Sequence, residues 1–195
     1  MVQHRSAGIT FTDPTPLLWA IDQCNNKRIA IEVGTYYGGW TRLLSNAYNN
    51  VITLQIMSND RLMHHYKTQF DEDRASYANT ALPEKYHTDY NFNYMVENLR
   101  NMNGVVPILM ESPPIIEWHW KFDLCTIDIT RRPEENFKQY NYWKQHANPG
   151  AIMLMGVYKL FSQDTVVMTL DQFMSNIDTH CDFVPGYEDY IYIKF

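Results

Sequence analysis

The chain is 195 residues long, 45% hydrophobic and 14% aromatic, with 19% charged residues and a formal net charge of -6. That length predicts one domain around one sizeable core, and that composition excludes bulk disorder. The acidic balance without any Lys/Arg block argues against phosphate-backbone binding, and three scattered cysteines with no CxxC pair argue against a disulfide framework or structural zinc. The first ten residues lack the apolar centre of a signal peptide, and the longest apolar stretches, such as Ala151–Val157, fall well short of the ~20 residues that cross a bilayer. The expectation is a soluble, cytoplasmic protein with no membrane and no nucleic-acid partner.

In chain order, Ile29–Val33 is an apolar run ending at Gly34 and predicts a buried strand. Thr41–Tyr48 carries Leu43, Leu44 and Ala47 and predicts a helix opening after Gly38-Gly39. Val51–Met57 predicts a second strand. Val105–Met110 predicts a third, with Pro107 implying an edge position or a bulge. Phe122–Ile129 predicts a fourth. Pro133-Glu134-Glu135 opens a helix expected to reach about His146, where Asn148-Pro149-Gly150 stops it. Ala151–Val157 predicts a fifth strand and Thr165–Ile177 an amphipathic helix. Cys181–Val184 and Tyr190–Phe195 around Pro185-Gly186 predict a closing hairpin. The long connection Ser58–Asn103, rich in Tyr, His and Asn and broken at Leu82-Pro83-Glu84, is expected to be an extended insertion in the same domain, with a helix over about Tyr90–Met102. It would serve as a lid or a homo-oligomer contact. Apolar strands alternating with helices predict an α/β fold: a three-layer Rossmann-like sandwich with a mostly parallel seven-stranded sheet and an antiparallel C-terminal hairpin.

The sharpest chemical signal is Glu32-Val33-Gly34-Thr35-Tyr36-Tyr37-Gly38-Gly39-Trp40-Thr41, between the first strand and its helix. Glycines there allow a tight turn and close backbone approach to a ligand, and the helix N-terminus adds a positive dipole end. In an open α/β sheet this is the carboxyl edge where ligands bind. The stretch is not a P-loop, since no Gly-Lys-Ser/Thr follows, and its glycine spacing disfavours a nicotinamide dehydrogenase.

EVGTYYGGWT resembles the first motif of class I S-adenosylmethionine-dependent methyltransferases, closest to the small-molecule O-methyltransferase branch, whose members read Glu-Ile-Gly-Thr-x-x-Gly-Gly-Ser-Thr. FDLCTIDITRRPEENFKQYNYWKQHANPGAIMLMGVY, Phe122 to Tyr158, resembles that branch's strand, Ile-Asp turn, Trp-bearing helix, Pro-Gly stop and strand. Met110-Glu111-Ser112 stands where such enzymes often carry Gly-Asp-Ser. The matches run from about Arg28 to Phe195, leaving Ser58–Asn93 unmatched. The resemblance implies S-adenosyl-L-methionine as cofactor, with Glu32 and the Gly34 backbone beside its methionine part and Thr35 and Gly38 in the same cofactor-binding turn. It implies Gln55 at the ribose, Glu111 and Ser112 facing the adenine, and Asp128 between cofactor and acceptor as the candidate catalytic residue.

Departures from the pattern shape the expected chemistry. The neutral Gln55 replaces an acid that would grip the ribose hydroxyls, a loss of about 1 kcal/mol in charge assistance. Asp128-Ile129-Thr130-Arg131 stands where relatives show an acid and a histidine, and Gly156-Val157-Tyr158 lacks the acid before the tyrosine. With Asp128 alone left of that cluster, no divalent metal is expected. The expected function is metal-independent O-methyl transfer to a small-molecule acceptor, since positioning alone can accelerate attack on an activated donor. The competing reading is a degenerate methyltransferase fold serving as a non-catalytic binding or assembly module. Its motive is the loss of acids at Gln55, Thr130 and Val157 and the bulk of Tyr36, Tyr37 and Trp40 at the pocket mouth. Elsewhere, His64-His65 and Trp118-His119-Trp120 lack metal-ligand spacing and Cys125 reads as a small core hydrophobe.

Overall fold

A computed structural model describes residues 13–35, 38–55, 98–110, 112–114, 117–129, 133–157 and 168–195. Seven strands form one sheet: β1 (Ile29–Val33), β2 (Asn50–Gln55), β3 (Val105–Leu109), β4 (Phe122–Ile127), β5 (Ala147–Gly156), β6 (His180–Phe183) and β7 (Tyr190–Lys194). Their order across the sheet is β3-β2-β1-β4-β5-β7-β6. The first five pair in parallel, and β7 lies antiparallel between β5 and β6. The expected sandwich with its closing hairpin is therefore present. Strand order reverses direction at β1, whose two neighbours are β2 and β4, and a crevice opens at such a switch point.

The strand periodicity of two sorts side chains onto two faces. Ala30, Leu124, Ile152 and Leu154 pack with Leu17, Ala20 and Ile21 of α1 (Thr15–Gln23) and with Trp40 and Leu44 of α2 (Gly39–Ala47). Ile31, Val33, Cys125, Ile127, Met153 and Met155 pack with Tyr140 and Trp143 of α3 (Pro133–Trp143) and with Phe173 of α4 (Leu170–Ser175). Cys125 is fully buried, as a core residue should be.

Four elements differ from the sequence expectation. Helix α1 was not foreseen; Asp13 accepts the Thr15 N–H at 3.0 Å just ahead of it, and Leu17, Ala20 and Ile21 form its buried stripe. Helix α3 ends at Trp143 and tightens into a 3-10 turn over Lys144–His146. Asn148-Pro149-Gly150 does not separate helix from strand but lies inside the opening of β5. Between Phe122 and Leu124 the ladder advances two residues on β4 and five on β5, and the Gly150 N–H donates to the Phe195 carbonyl at 2.8 Å. That bulge absorbs the proline without ending the strand. Helix α4 is shorter than expected: the Thr169 hydroxyl accepts the Gln172 N–H at 3.2 Å while the Gln172 side chain accepts the Thr169 N–H at 2.9 Å, so a capping box fixes its start. Pro107 does lie on an edge strand, β3. Most of the Ser58–Asn103 insertion, with His64-His65, lies outside the described residues. No helix among the described residues is long and apolar enough to cross a membrane.

A candidate site at the β1/β4 edge

Glu32 faces the α1/α2 side, and the parallel register sets it directly between Thr53 of β2 and Thr126 of β4. It is 2% exposed. Its Oε2 accepts hydrogen bonds from the Thr41 hydroxyl of α2 and the Thr53 hydroxyl, each at 2.5 Å. A hydroxyl has one proton; since Thr53 gives its own to Glu32, the Thr35 hydroxyl donates to Thr53. Burial pushes the Glu32 carboxyl up to about 7, against the pull of the Thr41 and Thr53 hydroxyls and the Thr41 N–H, and the charge of Asp128 adds to the rise.

The turn after β1 holds this cluster against β4. Gly34 has φ +99°, and a Cβ there would lie 2.8 Å from Ile129 Cγ2 and 3.0 Å from the Asp128 carbonyl oxygen. The space that a side chain would fill is thus taken by the chain leaving β4, so the glycine serves first to bring the exits of β1 and β4 together. The Gly38 N–H donates to the Thr35 carbonyl at 2.8 Å and closes the turn, and Gly38 opens α2 with a Cβ direction blocked by Leu99. Tyr36 and Tyr37 lie outside the described residues.

Asp128 follows β4, its N–H donating to the Val33 carbonyl at 3.2 Å. Its Oδ2 accepts a hydrogen bond from the Tyr190 hydroxyl at 3.2 Å. Tyr190 is the first residue of β7, and because β7 runs antiparallel, that residue arrives at the edge where β1 and β4 end. Trp40 is 8% exposed, and its ring centroid lies 5.7 Å from that of Tyr190. It belongs to the buried core on the α1/α2 face. The Trp40 indole N–H and the Thr126 hydroxyl are buried without a hydrogen-bond partner among the described residues.

Of the residues singled out from the sequence, Glu32, Gly34, Thr35, Gly38 and Asp128 come together. Gln55 ends β2 in the same row of strand ends, with its backbone in register with Leu109. Glu111 lies outside the described residues. Ser112 stands beyond β3 and is engaged elsewhere: its hydroxyl donates to Gln139 Oε1 at 2.6 Å, and Gln139 Nε2 donates to the Ser112 carbonyl at 2.7 Å. Trp143 Nε1 donates to the same Gln139 oxygen at 3.0 Å, so Ser112 is tied to α3 on the opposite face. Sequence reasoning missed Thr41, Thr53 and Tyr190. Thr41 was visible as the last residue of the motif; Thr53 and Tyr190 gain their meaning only from strand register. Trp118 is buried edge-on against Trp143, and Trp120 is exposed. Among the described residues no three His, Cys, Asp or Glu side chains gather as metal ligands would.

No protein-family model and no curated protein matches the sequence. Solved structures do match its shape. The chain is similar to an O-methyltransferase from Bacillus cereus in complex with S-adenosylhomocysteine, at a TM-score of 0.60 and 16% identity, covering 94% of this chain and 82% of that one. It is similar to the O-methyltransferase TomG from Streptomyces achromogenes, involved in tomaymycin synthesis and in complex with S-adenosylmethionine, at 0.57 and 14%, covering 95% and 81%. A third likeness, at 0.52 and 10%, is to the N-methyltransferase NodS from Bradyrhizobium japonicum, covering 93% and 91%.

Proposed function

We propose that this chain, which has the fold of class I S-adenosylmethionine-dependent methyltransferases, is itself a methyltransferase that uses S-adenosyl-L-methionine and methylates a hydroxyl of a small molecule without a divalent metal. The observation that carries the reading is the turn at Gly34, which brings the end of β1, bearing Glu32, against the backbone leaving β4 at Asp128, at the switch point of the sheet. The donor set suits the cofactor. Its ammonium and sulfonium are cations, and the groups gathered here are acids and hydroxyls. When bound, the cofactor supplies a methyl group already activated by its positive sulfur.

The chain's own residues then do three things. The Thr35–Thr53–Glu32–Thr41 hydroxyl chain fixes the floor of the crevice and removes freedom that binding would otherwise have to freeze. The Tyr190 hydroxyl orients the Asp128 carboxylate. Asp128 accepts the proton that an acceptor hydroxyl sheds as its oxygen is methylated. The structural neighbours include both O- and N-methyltransferases, so the choice of oxygen rests on the motif resemblance at Glu32–Thr41 and not on the fold.

Purified protein tests the reading. Ligand that binds only the native state raises apparent stability by about 2.7 kcal/mol at a hundred times its Kd. S-adenosylhomocysteine at millimolar concentration is expected to raise Tm by several degrees. If neither that compound nor S-adenosylmethionine moves Tm or gives a calorimetric signal, the reading fails, and a non-catalytic module on the same fold takes its place.

A further inference from the structure

We propose that Glu32 is the residue by which this site distinguishes the cationic methyl donor from its neutral product, releasing a proton to solvent when the donor binds. The inference rests on the cofactor reading above. S-adenosylmethionine and S-adenosylhomocysteine share the adenosine and the amino-acid zwitterion; they differ by one methyl group and one positive charge at sulfur. A buried carboxyl that no protein cation neutralises is a group whose charge state responds directly to that difference.

The two buried carboxylates of the sheet differ in this respect. Asp123, at the start of β4, takes hydrogen bonds from the Arg28 and Ile29 N–H groups, from Asn148 and from the Arg28 guanidinium. Its charge is compensated, and it sits at the edge away from the site. Glu32 is met by hydroxyls and one N–H: the Thr41 hydroxyl and N–H from α2 and the Thr53 hydroxyl from β2, with Thr35 behind Thr53 in the turn; Thr126 of β4 lies level with it in register without bonding to it. Among these described neighbours the titratable group acting on it is Asp128, another acid, itself bonded to Tyr190 of β7. Arg42 on α2 lies exposed.

Such a cradle serves both protonation states. A threonine hydroxyl can donate to a carboxylate or turn to accept from a carboxylic acid, whereas a guanidinium can only donate. The Thr126 hydroxyl, 1% exposed and level with Glu32 on the next strand, has no hydrogen-bond partner among the described residues, so a small side-chain shift would let it accept the proton of a neutral Glu32. Burial holds the carboxyl near 7, so at neutral pH a nearby positive charge decides its state. Donor binding converts the Glu32 acid to carboxylate, and the proton passes to buffer; product binding leaves more of it protonated.

Calorimetry on the full chain, in two buffers of different ionisation enthalpy, counts the protons released with each ligand. If the donor's charge loosens the Glu32 proton tenfold, binding S-adenosylmethionine releases about 0.4 proton more than S-adenosylhomocysteine at pH 7. The donor-to-product affinity ratio then rises about fivefold from pH 6 to pH 8. In Glu32→Gln both the excess proton and the pH dependence of the ratio vanish. Thr53→Val keeps the acid but removes a donor to its ionised form, so there the rise in the ratio moves to higher pH. Equal proton counts with a flat ratio overturn the inference and leave the cofactor reading standing. A pH-dependent ratio that is unchanged in Thr53→Val overturns the assignment to Glu32. If neither compound binds, both fall.

Discussion

Replacing Glu32 by glutamine should stabilise the ligand-free protein in alkali and leave it nearly unchanged in acid. An acid whose pKa is raised on folding binds its proton more tightly in the native state. Between the ordinary value of 4.5 and the native value of about 7, the unfolded chain has lost this proton and the folded chain keeps it. The native state therefore binds more protons than the unfolded state, and stability falls as pH rises through that window. The gap corresponds to about 3 kcal/mol at the alkaline end, at 1.36 kcal/mol for each tenfold change. The glutamine amide is neutral throughout and keeps an oxygen for the Thr41 and Thr53 hydroxyls. Urea unfolding of both proteins at half-unit steps from pH 5 to 8.5 reads the difference, because titrating groups that do not act on Glu32 cancel. At pH 5 the two should agree within about 1 kcal/mol; by pH 8.5 the variant should lead by about 3 kcal/mol. Parallel stability curves over that range would refute the claim that Glu32 is held protonated by its burial.

Asp123 should show the opposite sign. Burial pushes its carboxyl up, but the hydrogen bonds from Arg28, Asn148 and Ile29 outweigh burial and hold it below the usual carboxylate range. Asp123→Asn should therefore cost about 2–3 kcal/mol at pH 7 by urea unfolding, and that cost should shrink as pH falls below the unfolded value of about 3.9. Little of it belongs to the ion pair itself, since the Arg28 side chain is 63% exposed. Gly34→Ala should cost more than about 2 kcal/mol, combining a left-handed backbone with contact against the Asp128 carbonyl. Trimming Ile129 to alanine should not rescue it, because the carbonyl stays. Tyr190→Phe removes one hydroxyl donor to Asp128 and should lower stability by about 1 kcal/mol while leaving the circular dichroism spectrum unchanged. A loss of more than about 3 kcal/mol would mean that the ring, not the hydroxyl, holds that corner.

The sheet was legible in the sequence because its central strands carry short apolar runs with breakers near them, and local pattern suffices for that. The α1 helix was not, because Asp13-Pro14-Thr15-Pro16 reads as a loop although the nine-residue helix begins at Thr15, and the rest of it shows a stripe of only three. Pro149-Gly150 misled for a related reason: a helix stop and a bulged strand start use the same residues, and only β7 docking on Gly150 decides between them. Within the site, Glu32 and Asp128 stood out as acids at strand ends. Their partners did not. Thr53 meets Glu32 through the β1–β2 register, and Tyr190 meets Asp128 only because β7 is inserted antiparallel, neither of which local propensity encodes. Ser112 shows the reverse: a motif position whose hydroxyl goes to Gln139, 27 residues away, once α3 packs down.

The insertion of β7 between β5 and β6 has a consequence for biosynthesis. A ribosome delivers Glu32 early and Tyr190 late, and β7 completes its pairing only when both of its neighbours, β5 and β6, are there to receive it. A nascent chain short of β7 leaves the flank of β5 unpaired and Asp128 without its phenol, so it exposes a sticky edge and an unfinished crevice together. Competence to hold a ligand and protection from edge-to-edge association should thus be acquired in a single late step.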